Sequence, residues 1–451
     1  MNENLFNVLK QLALSVKRII DENISKGTIK SEEFPFFRLK VNKFQYTDKG
    51  IIELSGHREY ITKPSWLRVI HKLMESIKES NEYSSTLEQL TRAFTKNDKL
   101  SQALEYFLEK LIHEYLYTQK FEESNIDALI KTFLKDLHEE PVKCGAKVEL
   151  NGISLVPSEI ILSPGITLRQ TKIEDLEKES PAYISPYAFP LPPSAILNIE
   201  FLGRGANEIQ KRVERSIVIL RLFKVGSIKW IRYHMYSDSI TDLTAHATIT
   251  SGEIRETLET YSVTEEDVPK LKKFWQVIND AIPPSFFELG ITKIDHLTVA
   301  YNRYSDCLFQ NGILERRIAN AVMGLEALFL KSNEAQELIY RLSFRTSKLL
   351  SLLGHDPYEV KKIVSDAYKI RNLFVHGGHL SYEKRRKIKS KYGDIRNFLR
   401  ALLNYLRITI IVMMLSNREK DEFIDLIDNS FIDKRSEEML NSIISKAKNI
   451  L

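Results

Sequence analysis

Apolar residues change their spacing repeatedly along this chain, and nothing else in the sequence constrains the fold as strongly. Near the start, Leu5, Val8, Leu9, Leu12, Val16, Ile19 and Ile20 recur at three- and four-residue intervals. That is one stripe of a helix with ~3.6 residues per turn. The same period returns between Ser65 and Leu137, for example at Leu104, Phe107, Leu108, Leu111, Ile112 and Tyr115. Between these stretches, residues 36–62 alternate (Phe37, Leu39, Val41; Ile51, Ile52, Leu54), which predicts a short β-hairpin. At Pro141 the texture changes. Segments 146–156, 159–170 and 195–202 are β-branched and bounded by Asn-Gly, Pro-Gly and Pro-Pro pairs. A helix is expected at 206–223 and strands at 227–236 and 244–250.

From about Glu265 the helical period resumes. Helices are expected at 268–281, 293–308, 312–331, 334–352, 357–376, 383–416 (with a break) and 435–450. Asp356-Pro357 is a strong start signal, with proline at the first helical position. Gly377-Gly378 is a strong stop. The segment 180–193 carries five of the fourteen prolines and reads as a loop or a strap across a surface. The chain is therefore mainly α, in three parts: a mainly helical region 1–140, a mixed α/β module 141–260, and a helical bundle 261–451. The change of texture near 255–265 implies that the front folds apart from the bundle.

Composition narrows the function classes. Sixty-five Lys and Arg against sixty Asp and Glu leave a net charge of +5, too little to imply nucleic acid unless the charge is local. Cys144 and Cys307 are the only cysteines, so neither a Cys-rich zinc site nor a disulfide scaffold is implied. The N-terminus lacks the apolar core of a signal peptide. The most apolar run, Ile408–Leu415, is far shorter than the ~20 residues of a membrane span and reads as a buried helix. A cytoplasmic protein without a membrane partner is expected. Gly203-Arg204-Gly205 lacks the third glycine of a dinucleotide loop, and there is no Walker sequence. No cofactor and no metal site are implied.

The most informative words are AYKIRNLFVHGGHLSYEKRRKIKSK, residues 367–391. Arg371, Asn372, His376 and His379 lie within nine residues. Lys384, Arg385, Arg386, Lys387, Lys389 and Lys391 follow as the densest basic run in the chain. Cleaving an RNA phosphodiester without metal needs a base for the 2′-hydroxyl, an acid for the leaving oxygen and a cation for the phosphorane. Histidine serves as acid or base near neutrality, and arginine forks onto phosphate oxygens. On a helix Asn372 and His376 share a face, while Arg371 lies about 140° round and must reach over. Gly377-Gly378 puts His376 in the last turn, where the helix dipole favours a positive charge. The plainer reading is a C-capping Arg and His with a solvated basic face, and spacing alone leaves both open.

RNLFVHGG, with ERRIANAVMGLEALFL (315–330) and ELIYRLSFRTSKLL (337–350) upstream, resembles the HEPN superfamily, specifically its Apea-like group. The resemblance covers roughly residues 300–420 and is silent on residues 1–255. It implies a four-to-five-helix bundle that commonly dimerises, bringing two copies of the motif to one composite site. It implies a metal-independent endoribonuclease leaving 2′,3′-cyclic phosphate ends, with Arg371, Asn372 and His376 as catalytic residues. It further implies an RNA substrate such as tRNA or mRNA, and a homodimer or higher even oligomer. The implied role is anti-phage abortive infection answering a phage-derived trigger, with the N-terminal region as sensor or brake. Some members of the family are only dimerisation or binding modules, and that alternative stands beside it.

Other residues carry weaker signals. Glu326, in an apolar helix, is expected to be a structural partner for Arg345 or Arg371. Arg341 and Arg345, one turn apart, are candidate RNA-binding residues, as are His379, Lys384, Arg385, Arg386 and Lys387. His379 also reads as an exposed loop residue. His234 and His246 read as structural. Asp238, Asp242 and Thr244 read as turn and cap residues.

Overall fold

The computed structural model describes residues 3–47, 49–94, 99–118, 122–177, 179–181, 192–242, 246–250, 260–287, 295–309 and 314–451. The proline strap at 182–191, Thr244 and the stretch 251–259 lie outside the described residues.

The N-terminal part follows its periodicity. Helices α1 (Glu3–Ser25), α2 (Leu67–Lys78), α3 (Asn81–Ala93), α4 (Leu100–Thr118) and α5 (Glu123–Leu137) pack their apolar stripes together. Their core contains Leu9, Leu12, Leu104, Phe107 and Phe133, all buried. The hairpin is longer than alternation suggests, with arms β1 (Glu32–Thr47) and β2 (Gly50–Ser65).

The middle part holds β3 (Val142–Asn151), β4 (Ile153–Leu155), β5 (Glu159–Ser163), β6 (Ile166–Gln170), the short α6 (Ile173–Leu176), β7 (Glu179–Pro181), β8 (Ala195–Gly203), α7 (Ala206–Phe223), β9 (Lys229–Ser237), β10 (Thr248–Thr250) and β11 (Tyr261–Val263). A six-stranded antiparallel sheet runs in the order β10-β9-β3-β8-β6-β5, and α7 packs on it. Strand β7 joins the hairpin instead, pairing with β1. Gly203-Arg204-Gly205 has a structural use. The Arg204 guanidinium donates to the buried Asp136 carboxylate at 2.7 Å, and Asp136 also accepts from the Ile240 N–H at 2.6 Å. That carboxylate ties the end of α5 to the module. His234 meets Thr248 across β9 and β10 at 2.8 Å, and His246 lies 3.3 Å from the Ser239 carbonyl.

The remainder is helical: α8 (Asp267–Ala281), α9 (His296–Phe309), α10 (Leu314–Phe329), α11 (Leu338–Ser351), α12 (Pro357–Val375), α13 (Tyr382–Tyr392), α14 (Ile395–Ser416), α15 (Lys420–Asn429) and α16 (Lys434–Lys448). Helix α14 is the hub, packing on α8 through α13 and on α16. By length and composition it alone among the described helices is apolar enough to cross a membrane, yet Ile408–Met414 are buried inside the bundle. Gly324 of α10 lets α14 approach closely, since a Cβ there would come within 2.8 Å of Leu406. Helix α15 is the element that periodicity missed, because its ten residues give only one clear apolar repeat.

Module and bundle do not bury separate cores. One continuous apolar cluster runs from Cys144 and Val148 on the sheet, through Phe223, Phe274 and Tyr304, to Leu402 and Ile444 in the bundle. The expected separation near 255–265 is corrected on this point: α7 and α8 pack on the sheet and on each other, and the same apolar cluster continues into the bundle. The break between cores falls between α5 and β3. A fragment of residues 141–451 should therefore unfold cooperatively in differential scanning calorimetry. Residues 260–451 alone should give a broad transition and bind a hydrophobic dye, because the faces of α8 and α14 that meet α7 and the sheet are then in water.

Candidate functional site

Helix α12 begins as its sequence dictates. Asp356 caps it, its carboxylate accepting from the Tyr358 N–H at 2.9 Å, and Pro357 sits in the first turn. Val360, Ile363, Val364, Ala367 and Ile370 form the buried stripe. The helix ends in a Schellman turn: the Gly378 N–H reaches the Leu373 carbonyl at 2.8 Å and the Gly377 N–H reaches Phe374 at 3.0 Å. Gly377 has φ +78°, which a side chain adopts only with strain. This turn fixes His376 as the exposed C-cap and stops the helix before the basic run.

The motif residues diverge from there as helical geometry requires. Arg371 turns inward to α10. Its Nη2 lies 3.2 Å from Glu326 Oε2, its Nη1 donates to Asn372 Oδ1 at 3.1 Å, and the guanidinium stands over the Tyr368 ring. Its Nε is buried without a hydrogen-bond partner. Burial pushes the Glu326 carboxyl above its ordinary value, opposed by Arg371 and by a hydrogen bond from Tyr368. The expected structural pairing of Glu326 is thus met, with Arg371 as the partner. Tyr368 is the contributor that the sequence reading missed; it lies three residues before Arg371, the spacing at which helical side chains meet. His376 stands on the opposite, solvent side, and among the described residues no side chain engages its imidazole.

Helix α13 carries the basic run. Ser381 caps it, and Ile388 alone on it is buried. Lys384, Arg386, Lys387 and Lys389 are exposed, with no ion pair among the described residues. Two members are engaged. Arg385 reaches the buried Glu315 at 2.6 Å, and Lys391 pairs with Asp366. Arg385, a candidate RNA contact, also braces α13 against α10, with about half of its side chain exposed. His379 is exposed in the loop between α12 and α13. A cleft of about 460 Å³ lies between these helices, floored by Ile370, Leu373, Leu380 and Ile388 and rimmed by Lys369, Lys384 and Lys387.

Arg345 does not line an RNA cleft. Its side chain is 3% exposed and bonds Glu334 at 2.6 Å, Asp428 at 2.6 Å and the Phe329 carbonyl at 2.7 Å. A guanidinium enclosed by two carboxylates and a helix end has no donor to spare for phosphate. Arg341 shares Glu334, at 2.9 Å, but stays partly exposed. Among the described residues, no group of three or more His, Cys, Asp or Glu side chains is placed to hold a metal ion. Compared with protein-family models, curated proteins and solved structures, the chain matches none.

The Arg345 cluster sets a stability test. Arg345→Ala leaves Glu334 and Asp428 facing each other near a buried helix end, and should cost about 3–5 kcal/mol in urea denaturation. The cluster is also pH-sensitive. The hydrogen bond from Arg345 holds the Glu334 carboxyl at about 2, below its ordinary 4.5. A lowered carboxyl stabilises the fold above its unfolded value and loses that contribution as pH falls towards the folded one. The urea midpoint should therefore drop between pH 4.5 and 2 in the wild type, and less steeply in Arg345→Ala.

Proposed function

We propose that the chain is a HEPN-type endoribonuclease whose cleavage site is the exposed end of α12, with the front of the chain restraining or triggering it. One observation carries the reading. A freely exposed His376 is locked by a glycine turn beside a helix whose lysines and arginine, Lys384, Arg386, Lys387 and Lys389, face solvent. That pairing suits a polyanion bearing a group that needs a proton donor or acceptor.

In this reading His376 moves the proton, as base for the 2′-hydroxyl or acid for the leaving 5′-oxygen. Arg371 meets the phosphorane charge, its guanidinium held in place by Glu326 and Tyr368. Asn372, on the same face as His376, orients the imidazole or a ribose hydroxyl. Because Arg371 and His376 diverge by about 140° around α12, a second copy of the chain supplies the complementary half, making the active species a homodimer or higher even oligomer. The RNA, whether tRNA or mRNA, lies along α13, and Arg341, partly exposed on α11, adds a contact. Abortive infection is the setting proposed for such an enzyme, in the cytoplasm, with a phage-derived trigger acting on the front of the chain.

A second reading has one observation in its favour. Arg371 is already engaged by Glu326, as a purely structural residue would be, so the bundle would serve as a dimerisation or binding module. Purified protein incubated with total RNA separates the two. Nuclease action should persist in EDTA and leave 2′,3′-cyclic phosphate ends, since the chemistry proposed uses side chains alone. His376→Ala should abolish cleavage and keep binding, and Arg371→Ala should slow it ~10²–10³-fold. Charge reversal at Lys384, Arg386 and Lys387 should weaken binding and flatten its salt dependence by about one unit of slope per lost phosphate contact. Absence of cleavage in the wild type across RNA classes and salt, or strict Mg²⁺ dependence with 3′-hydroxyl products, would sink the nuclease reading.

A further inference from the structure

A different cleft lies where the module meets the bundle, away from α12. It measures about 490 Å³ and opens between the end of α7 and the first turns of α14. Asn397, Arg400, Asn404 and Arg407 line it from the bundle, spaced three, four and three residues apart, so they form one ridge of α14. Lys224 lines it from the module, beside the apolar Val225 and the Tyr261 ring. Among the described lining residues there is no carboxylate.

The charges here are poorly compensated. Arg407 is 8% exposed, yet every partner it has is neutral: the Leu222 and Phe223 carbonyls at 2.7 and 2.8 Å, and Asn404 Oδ1. Burial pulls its guanidinium below the ordinary arginine value. A buried cation met only by dipoles is normally costly. Because the Asn404 oxygen is taken by Arg407, its NH₂ group remains a donor for the cleft. Arg400 is exposed and has no ion-pair partner among the described residues. Lys224 pairs with Asp267 at 2.5 Å, a carboxylate that does not itself line the cleft. Three cations against one carboxylate leave the cleft positive and lined with donors.

We propose that this cleft binds a phosphate-bearing small molecule of nucleotide size, gripped by Arg400 and the Asn397 and Asn404 amides from the bundle and by Lys224 from the module. A guanidinium with flanking amides and an ammonium is the donor set that phosphate oxygens accept. The volume exceeds what a lone phosphate fills and lies in the range of small-ligand pockets. Val225 and Tyr261 give a ring an apolar wall. A strand of RNA is a poorer fit, since the cleft is lined from both units at once and the open basic face is on α13. The inference stands independently of the cleavage reading. Its structural consequence is that the ligand clamps α7 to α14.

Titration calorimetry on the intact chain tests it, with sodium pyrophosphate and adenosine triphosphate as probes in metal-free buffer. Saturable binding of at least one probe is expected, with a rise in melting temperature. Arg400→Glu should weaken it at least ~10-fold, and Arg400→Lys should restore most of it, because the charge rather than the fold is at stake. Arg400 is exposed and unpaired, so both variants should melt like the wild type without ligand. No saturable heat from either probe, or unchanged affinity in Arg400→Glu, overturns the proposal. So does the third arm: an unphosphorylated oligoribonucleotide that binds in an Arg400-dependent manner while both small probes fail, which would assign the cleft to RNA.

Discussion

One guanidinium fixes how the end of α7 meets the core helix of the bundle. Arg407, in the middle of α14, donates to the last two carbonyls of α7, across a separation of 185 residues to Leu222. The final carbonyls of a helix have no partner within it, and burying them unpaired is costly. Arg407 is equally costly to bury alone. Each group therefore needs the other, and the end of α7 can dock on α14 in only one place. Helices α12 and α13 also pack on α14. The exposed turn carrying His376 is therefore referenced to the same helix that receives the module.

The same device recurs at the other joints. Arg345 caps the end of α10 through the Phe329 carbonyl while binding Glu334 and Asp428, joining α10, α11 and α15. Arg204 and Asp136 join the N-terminal helices to the sheet, Arg204 donating to both the Asp136 carbonyl and its carboxylate. Arg371 and Glu326 join α12 to α10. Apolar burial supplies most of the cohesion, but it is non-directional. These charged contacts fix register and orientation, because a missed partner leaves a desolvated charge.

This bears on what the α12 end can do. A guanidinium that braces a joint is held still, and a phosphate contact benefits from a donor that need not be ordered first. Glu326 and Tyr368 give Arg371 that rigidity, while the glycine turn does the same for the backbone of His376. The exposed lysines of α13 lack such restraints, and in the function proposed above they draw a polyanion by charge.

Much of the fold was legible in the sequence. The expected helix at 206–223 matches α7 residue for residue, and Asp356-Pro357 and Gly377-Gly378 bound α12 as their chemistry requires. These features depend on residues within about four positions of each other, so the sequence alone determines them. Arg371, Asn372 and His376 were visible for the same reason, as a spacing on one helix. What only the tertiary structure decided is which charges are spent. Arg345 and Arg386 look alike in the sequence, yet one is enclosed by Glu334 and Asp428 and the other faces water. The merging of module and bundle into one core was equally invisible. Those outcomes depend on partners 11 to 185 residues away, brought together by packing, and no local period records which distant group a buried charge will meet.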